Sequence, residues 1–193
     1  MRFNDARWCV MKQDACRRKV VHGFSLVELM LVIALLGALS AISIPVFLRS
    51  LPEYRLRNAA RNLYANLQKA RLLAVKENRK VTVRFHEAGG YYYIDNDENG
   101  TAGYKKWNPD EMRADLADYG GVTYGKGGAV KNWNNDLISR VVPYQDISFK
   151  TTGTATPASV YLQYQNENGI IYAVTTTNYG TVKVRRFSGS SWE

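Results

Sequence analysis

Glu28 stands at the head of twenty consecutive uncharged residues, 29–48, in the sequence Gly23-Phe24-Ser25-Leu26-Val27-Glu28-Leu29. A carboxylate at that depth in a membrane helix costs about 2.5–3.5 kcal/mol on insertion scales, so the chemistry it calls for is a cationic partner. A second set of oxygen ligands, Asp95, Asp97 and Asn99 followed by Gly100, matches the first half of a calcium loop. Its twelfth position is Lys106, where such a loop needs a bidentate glutamate, so a polar hairpin turn is the expectation and no metal is assigned. A third set, Lys183, Arg185 and Arg186 with Tyr179 and Phe187 nearby, has nucleic-acid contact chemistry. Strand geometry puts Lys183 and Arg185 on one face and Arg186 on the other, which reads more simply as a solvated edge strand. Nucleophilic and zinc chemistry lack material: the histidines are His22 and His86, and Cys9 and Cys16 both precede the apolar run.

The elements that position these residues follow from charge and periodicity. The chain has 193 residues, 46% apolar and 22% charged, enough for one buried domain, and a net charge of +9. That charge is concentrated in two places. Residues 1–23 hold six basic and two acidic residues, and residues 53–80 hold eight and two, whereas residues 81–193 hold eleven and twelve. A nearly neutral body does not call for nucleic acid as a partner.

Twenty apolar residues at 1.5 Å each span roughly the 30 Å hydrocarbon core. A secretory signal peptide with an apolar centre at 29–36 and cleavage near Ser40 is one reading, and a plain signal anchor is another. Neither accounts for Gly-Phe followed by an acid. Those residues resemble the processing signal of type IV pilins and type II secretion pseudopilins. The resemblance implies that a prepilin peptidase cuts between Gly23 and Phe24 and methylates the new amine of Phe24. It further implies that Glu28 neutralises the amine of a neighbouring subunit in the filament and that Pro45 is the helix-bending proline. A proline there removes an N–H and crowds the carbonyl of Ala41, so bending or local melting is expected. Removing the leader would leave no thiol in the mature chain. Met11 is an alternative start that keeps the leader basic.

Beyond the run, Ser50-Leu51-Pro52-Glu53 reads as a capping box from which a second helical stretch begins or the first resumes. Leu56, Ala60, Leu63, Leu67, Ala70 and Ala74 then form one apolar stripe to about Asn78, opposite Arg57, Arg61, Lys69, Arg71 and Lys76. That basic face is expected to be solvated. From Val81 the period falls to two: residues 81–85 and 91–94 predict a hairpin across Gly89-Gly90, with further strands at 147–150, 160–164, 170–175 and 181–187. Asn166-Glu167-Asn168-Gly169 and Asn178-Tyr179-Gly180 supply turns, and residues 107–140 read as long loops.

Arg55 to Leu63, Lys69 to Val75, Val81-Thr82-Val83 and Tyr93-Ile94-Asp95 narrow the resemblance to minor pseudopilins of the GspH and FimT type. Gly153 and Gly180-Thr181-Val182 sit near the family's glycine motifs, with Thr181 replacing the commoner arginine. The expected fold is α+β: a long N-terminal helix, membrane-spanning then amphipathic, packed on an antiparallel sheet or two-sheet sandwich, the pilin fold. Residues 1–23 are a leader to be removed, 24–48 the transmembrane and filament-core helix, 49–80 the amphipathic helix and 81–193 a periplasmic β-rich head. The implied function is structural and non-enzymatic, without cofactor. The subunit would join other pilins or pseudopilins in a filament from the bacterial inner membrane, either a type II secretion pseudopilus near its tip or, alternatively, a type IV pilus involved in assembly or DNA uptake. An intact Glu28 argues against the outermost tip position, whose occupant in the family lacks that acid.

Overall fold

A computed structural model describes residues 24–95, 112–143, 145–165 and 169–193. The chain divides into two compact units, Met1–Ile44 and Pro45–Glu193. One helix, α1 (Leu26–Lys76), contributes to both.

In the first unit, Leu26–Ile44 has a mean hydropathy of 2.4, and none of it is buried. Its 19 residues rise about 28 Å, so by length and composition the segment is able to cross a membrane. The hydroxyls of Ser40 and Ser43 donate to the carbonyls of Leu36 and Leu39 at 2.7 and 3.0 Å, so these polar groups are paired within their own helix.

Among the described residues, the second unit contains the rest of α1 and eight strands. The backbone stays helical through Ala41, Pro45 and Ser50, so the local melting admitted by the sequence does not occur. Ser50 does not cap a new helix either: its hydroxyl donates to the carbonyl of Phe47 at 2.9 Å. Leu56, Ala60, Leu63, Leu67, Ala70 and Ala74 are each 1% exposed or less. The helix therefore buries the stripe that the spacing predicts.

The strands are β1 (Val81–His86), β2 (Tyr91–Asp95), β3 (Arg113–Asp115), β4 (Val122–Tyr124), β5 (Ile147–Phe149), β6 (Ala158–Tyr164), β7 (Ile171–Thr176) and β8 (Val182–Phe187). They form two four-stranded sheets, in the orders β3-β2-β1-β5 and β4-β6-β7-β8, with every pairing antiparallel. Both sheets give one face to a core sealed by α1: Val83, Phe149, Leu162 and Val174 join Leu63 and Leu67 there. The region read as loop contains β3, a 3-10 turn (Leu116–Tyr119) and β4. Three-residue strands are too short to show alternation, which is why the sequence hides them. Ala129, Trp133 and Ile138 pack with Tyr161, Ile171, Ala173 and Phe187 in a second cluster. All six residues of β7 are buried because its two faces serve different cores.

Candidate functional site

The N-terminal end of α1 is built by Ser25, whose Oγ accepts the N–H of Val27 at 3.3 Å while its carbonyl accepts the N–H of Leu29 at 3.1 Å. This is N-cap geometry. Glu28 then lies in the first helical turn, where a negative charge meets the positive end of the helix dipole. Phe24 precedes the helix and is 81% exposed. Gly23 lies outside the described residues, as do Cys9, Cys16 and His22. The apolar side chains that follow, from Leu26 to Ile44, are likewise exposed. The arrangement thus has a carboxylate at the head of an apolar helical surface that the described chain leaves uncovered.

The remaining sequence candidates fall into separate places. Asp95 ends β2, almost fully buried, and its carboxylate accepts from Nε of Arg84 at 2.7 Å. Arg84 also donates to Asp146 at 2.9 Å. Burial pushes the Asp146 carboxyl above its ordinary value, although Arg84 and the N–H of Phe85 pull the other way. For Arg84, partial burial lowers the guanidinium's affinity for its proton, but Asp95 and Asp146 outweigh that effect and raise it. A guanidinium therefore already holds the first acid of the supposed calcium loop, while Asp97, Asn99 and Lys106 lie outside the described residues. Among the described residues no group of three His, Cys, Asp or Glu side chains could hold a metal.

The C-terminal basic residues border one groove but are engaged differently. Arg186 turns toward α1 and pairs with Glu53 at 2.8 Å. Arg185 lies on the other face of β8, its guanidinium 4.8 Å from the ring centre of Trp133. Lys183 is exposed. Glu53, which the sequence suggests as a capping acid, instead neutralises one of the three cations proposed for nucleic acid.

Two other polar arrangements escape sequence reading. Nε of Arg71 donates to the carbonyl of Gly153 at 3.0 Å, and the same guanidinium reaches the carbonyl of Tyr179. Gly180 has φ +71°, and a Cβ there would meet the Gly153 carbonyl at 1.9 Å, so both glycine loops close onto a helix side chain expected to be solvated. At the rim of the core, buried Asn66 donates to exposed Asn62 at 2.7 Å and to the hydroxyl of Tyr92 at 2.8 Å, and that hydroxyl donates to Asn62 at 3.0 Å. Burial raises the Tyr92 phenol's pKa well above its ordinary value, with the Asn66 hydrogen bond opposing this. An asparagine one residue before Leu67 in the apolar stripe is the signal that would have flagged the network.

Comparison with known proteins gives consistent similarities. The family model described as type II transport protein GspH matches residues 59–180, and the prokaryotic N-terminal methylation motif matches residues 18–44. A pilin-like protein, PilA1 of Thermus thermophilus, is 32% identical over 113 residues, which is 58% of this chain and 63% of that protein. The match spans less than two thirds of that relative's length. Among solved structures, the minor pseudopilin EpsH from the type 2 secretion system of Vibrio cholerae has a TM-score of 0.48 at 15% identity, covering 71% of this chain and 99% of EpsH. The type IV minor pilin FimU of Pseudomonas aeruginosa has a TM-score of 0.47 at 18% identity, covering 73% and 94%.

Proposed function

Because the chain belongs to the GspH family of type II transport proteins and carries an N-terminal methylation motif, we propose that it is a non-enzymatic minor pseudopilin that assembles through α1. In this reading prepilin peptidase cuts between Gly23 and Phe24 and methylates Phe24. The first part of α1 anchors the chain once in the bacterial inner membrane, with the head in the periplasm. Assembly then moves the helix into the core of a type II secretion pseudopilus, near its tip, beside other pseudopilins. The observation that carries this reading is Glu28 in the first turn of an uncovered apolar helix. A methylated amine at Phe24 is a cation of the kind Glu28 lacks among the described residues. Pairing the amine of one subunit with the acid of another satisfies two groups that are each costly in apolar surroundings. Pro45 removes one backbone donor from the helix and gives it a point of compliance in the filament.

A minor type IV pilin is the second reading, favoured by the identity with a pilin-like protein. A DNA-uptake role within it is weakened because Arg185 is engaged by the Trp133 ring and Arg186 by Glu53. Mass spectrometry of the membrane-extracted protein tests processing. An N-terminus at methylated Phe24 is expected, and retention of Met1 or Met11 in cells with active prepilin peptidase would overturn the assignment.

A further inference from the structure

Strand β8 stands at one edge of its sheet. Arg186 exchanges both backbone hydrogen bonds with Glu193, at 2.9 and 2.8 Å, on the side away from β7. Antiparallel ladders alternate, so the N–H and C=O groups of Val184 and Val182 face the same way as those of Arg186. Among the described residues nothing pairs with them, since the C-terminal residues cover this edge only at Arg186 and Phe187. Beside the edge runs an open groove of ≈ 1040 Å³ whose far wall is the α1 face carrying Glu53, Arg57, Arg61 and Tyr64. Five cations and two carboxylates line it, an excess of three positive charges. Arg186 is paired with Glu53, whereas Arg57, Arg61 and Lys183 are exposed and have no ion pair among the described residues.

We propose that this groove takes an extended, carboxylate-bearing segment of a partner protein as a fifth strand beside β8. Val182 and Val184 each present one donor and one acceptor, and a peptide backbone complements both, whereas a phosphodiester chain supplies acceptors alone. The spacings agree as well. Arg57 and Arg61 are four residues apart on α1, about 6 Å along its axis. Side chains on one face of a strand repeat at about 6.8 Å, so acids at alternate positions of the added strand can meet both guanidiniums. This contact involves the head and not the apolar part of α1, and it stands independently of how the chain is processed.

The test uses the full chain in detergent micelles and a fluorescein-labelled octapeptide of alternating Glu and Val, followed by fluorescence anisotropy and amide hydrogen exchange. Binding is expected to slow exchange at Val182 and Val184 while leaving Lys183, whose amide already faces β7, unchanged. Arg57→Glu combined with Arg61→Glu should weaken binding at least tenfold without lowering the melting temperature, because both side chains are exposed. Val184→Pro, which removes only an outward-facing N–H, should also weaken it, and a fully N-methylated peptide should not bind. Equal binding of the N-methylated peptide, unchanged exchange at Val182 and Val184, or tighter binding of a DNA duplex lost in the same variants would overturn the proposal. Neither cleavage nor filament assembly enters this test, so its failure is distinguishable from failure of the assembly reading.

Discussion

At Glu28 two energies of different size compete. Its place in the first turn of α1 gains about 0.3–1 kcal/mol from the helix dipole, but carrying a charge into an apolar membrane costs about 2.5–3.5 kcal/mol. The local gain does not offset the cost, so the residue needs a further partner. If that partner is the amine of an adjacent subunit, Glu28→Leu leaves cleavage and membrane insertion unharmed while filament incorporation falls. Fractionation and crosslinking to partner pilins read the outcome, and wild-type levels of assembled protein in the variant would show that the acid has no assembly role. The ion pair between Arg186 and Glu53 is a different case. Its side chains are 34% and 44% exposed, so solvent screening keeps its contribution to stability below about 1 kcal/mol. Its effect is on chemistry, because it removes one cation from a cluster that the sequence presents as three.

Within the head, α1 has two faces with opposite energetic weight. Leu63 is fully buried against both sheets, whereas Leu72, nine residues on, is 69% exposed. Leu63→Ala is expected to destabilise the head by about 2–5 kcal/mol, through lost transfer energy and a residual cavity. Leu72→Ala should change stability by less than about 0.5 kcal/mol. Thermal melts of the two variants under identical conditions check this contrast, and similar losses for both would contradict the packing. Arg71 adds a polar anchor on the flank of the same helix, tying the Gly153 loop to α1 and Gly180 close against it. Strand β7 shows how an element with both faces covered loses alternation: Tyr172 and Val174 enter the core under α1, while Ile171 and Ala173 enter the cluster with Trp133.

For the molecule as a whole, the phenols of buried Tyr92 and half-buried Tyr124 make stability depend on pH. Burial raises the pKa of Tyr92 above its ordinary 10.0, and the same cause raises Tyr124, whose hydroxyl donates to the carbonyl of Tyr91 at 3.0 Å. A folded-state pKa above the unfolded value means that, past pH 10, the unfolded chain has released protons that the folded chain retains. The stability linked to these groups is therefore complete below about pH 10 and falls as pH rises beyond it. Tyr92→Phe and Tyr124→Phe should each reduce the slope of stability against pH above 10 by about one proton, or about 1.4 kcal/mol per pH unit. Denaturant titrations at successive pH values measure that slope. Unchanged slopes in both variants would show that the phenols ionise as freely in the folded head as in the unfolded chain.

The apolar helix, the acid at its head, the six-residue stripe beneath the sheets and the main strands are legible in the residue order, because each is set by local periodicity and composition. Leu56 to Ala74 recur at helical spacing and Val81 to Phe85 alternate, so the buried face is written in the order of the residues. Which distant groups meet depends on the folded arrangement. Glu53 and Arg186 are 133 positions apart, and Arg71 and Gly153 are 82 apart. No local pattern records such pairs, since they arise only when β8 and the glycine loops are brought against α1. The same holds for β3 and β4, whose three-residue lengths carry no period of their own and which exist because β2 and β6 offer them an edge.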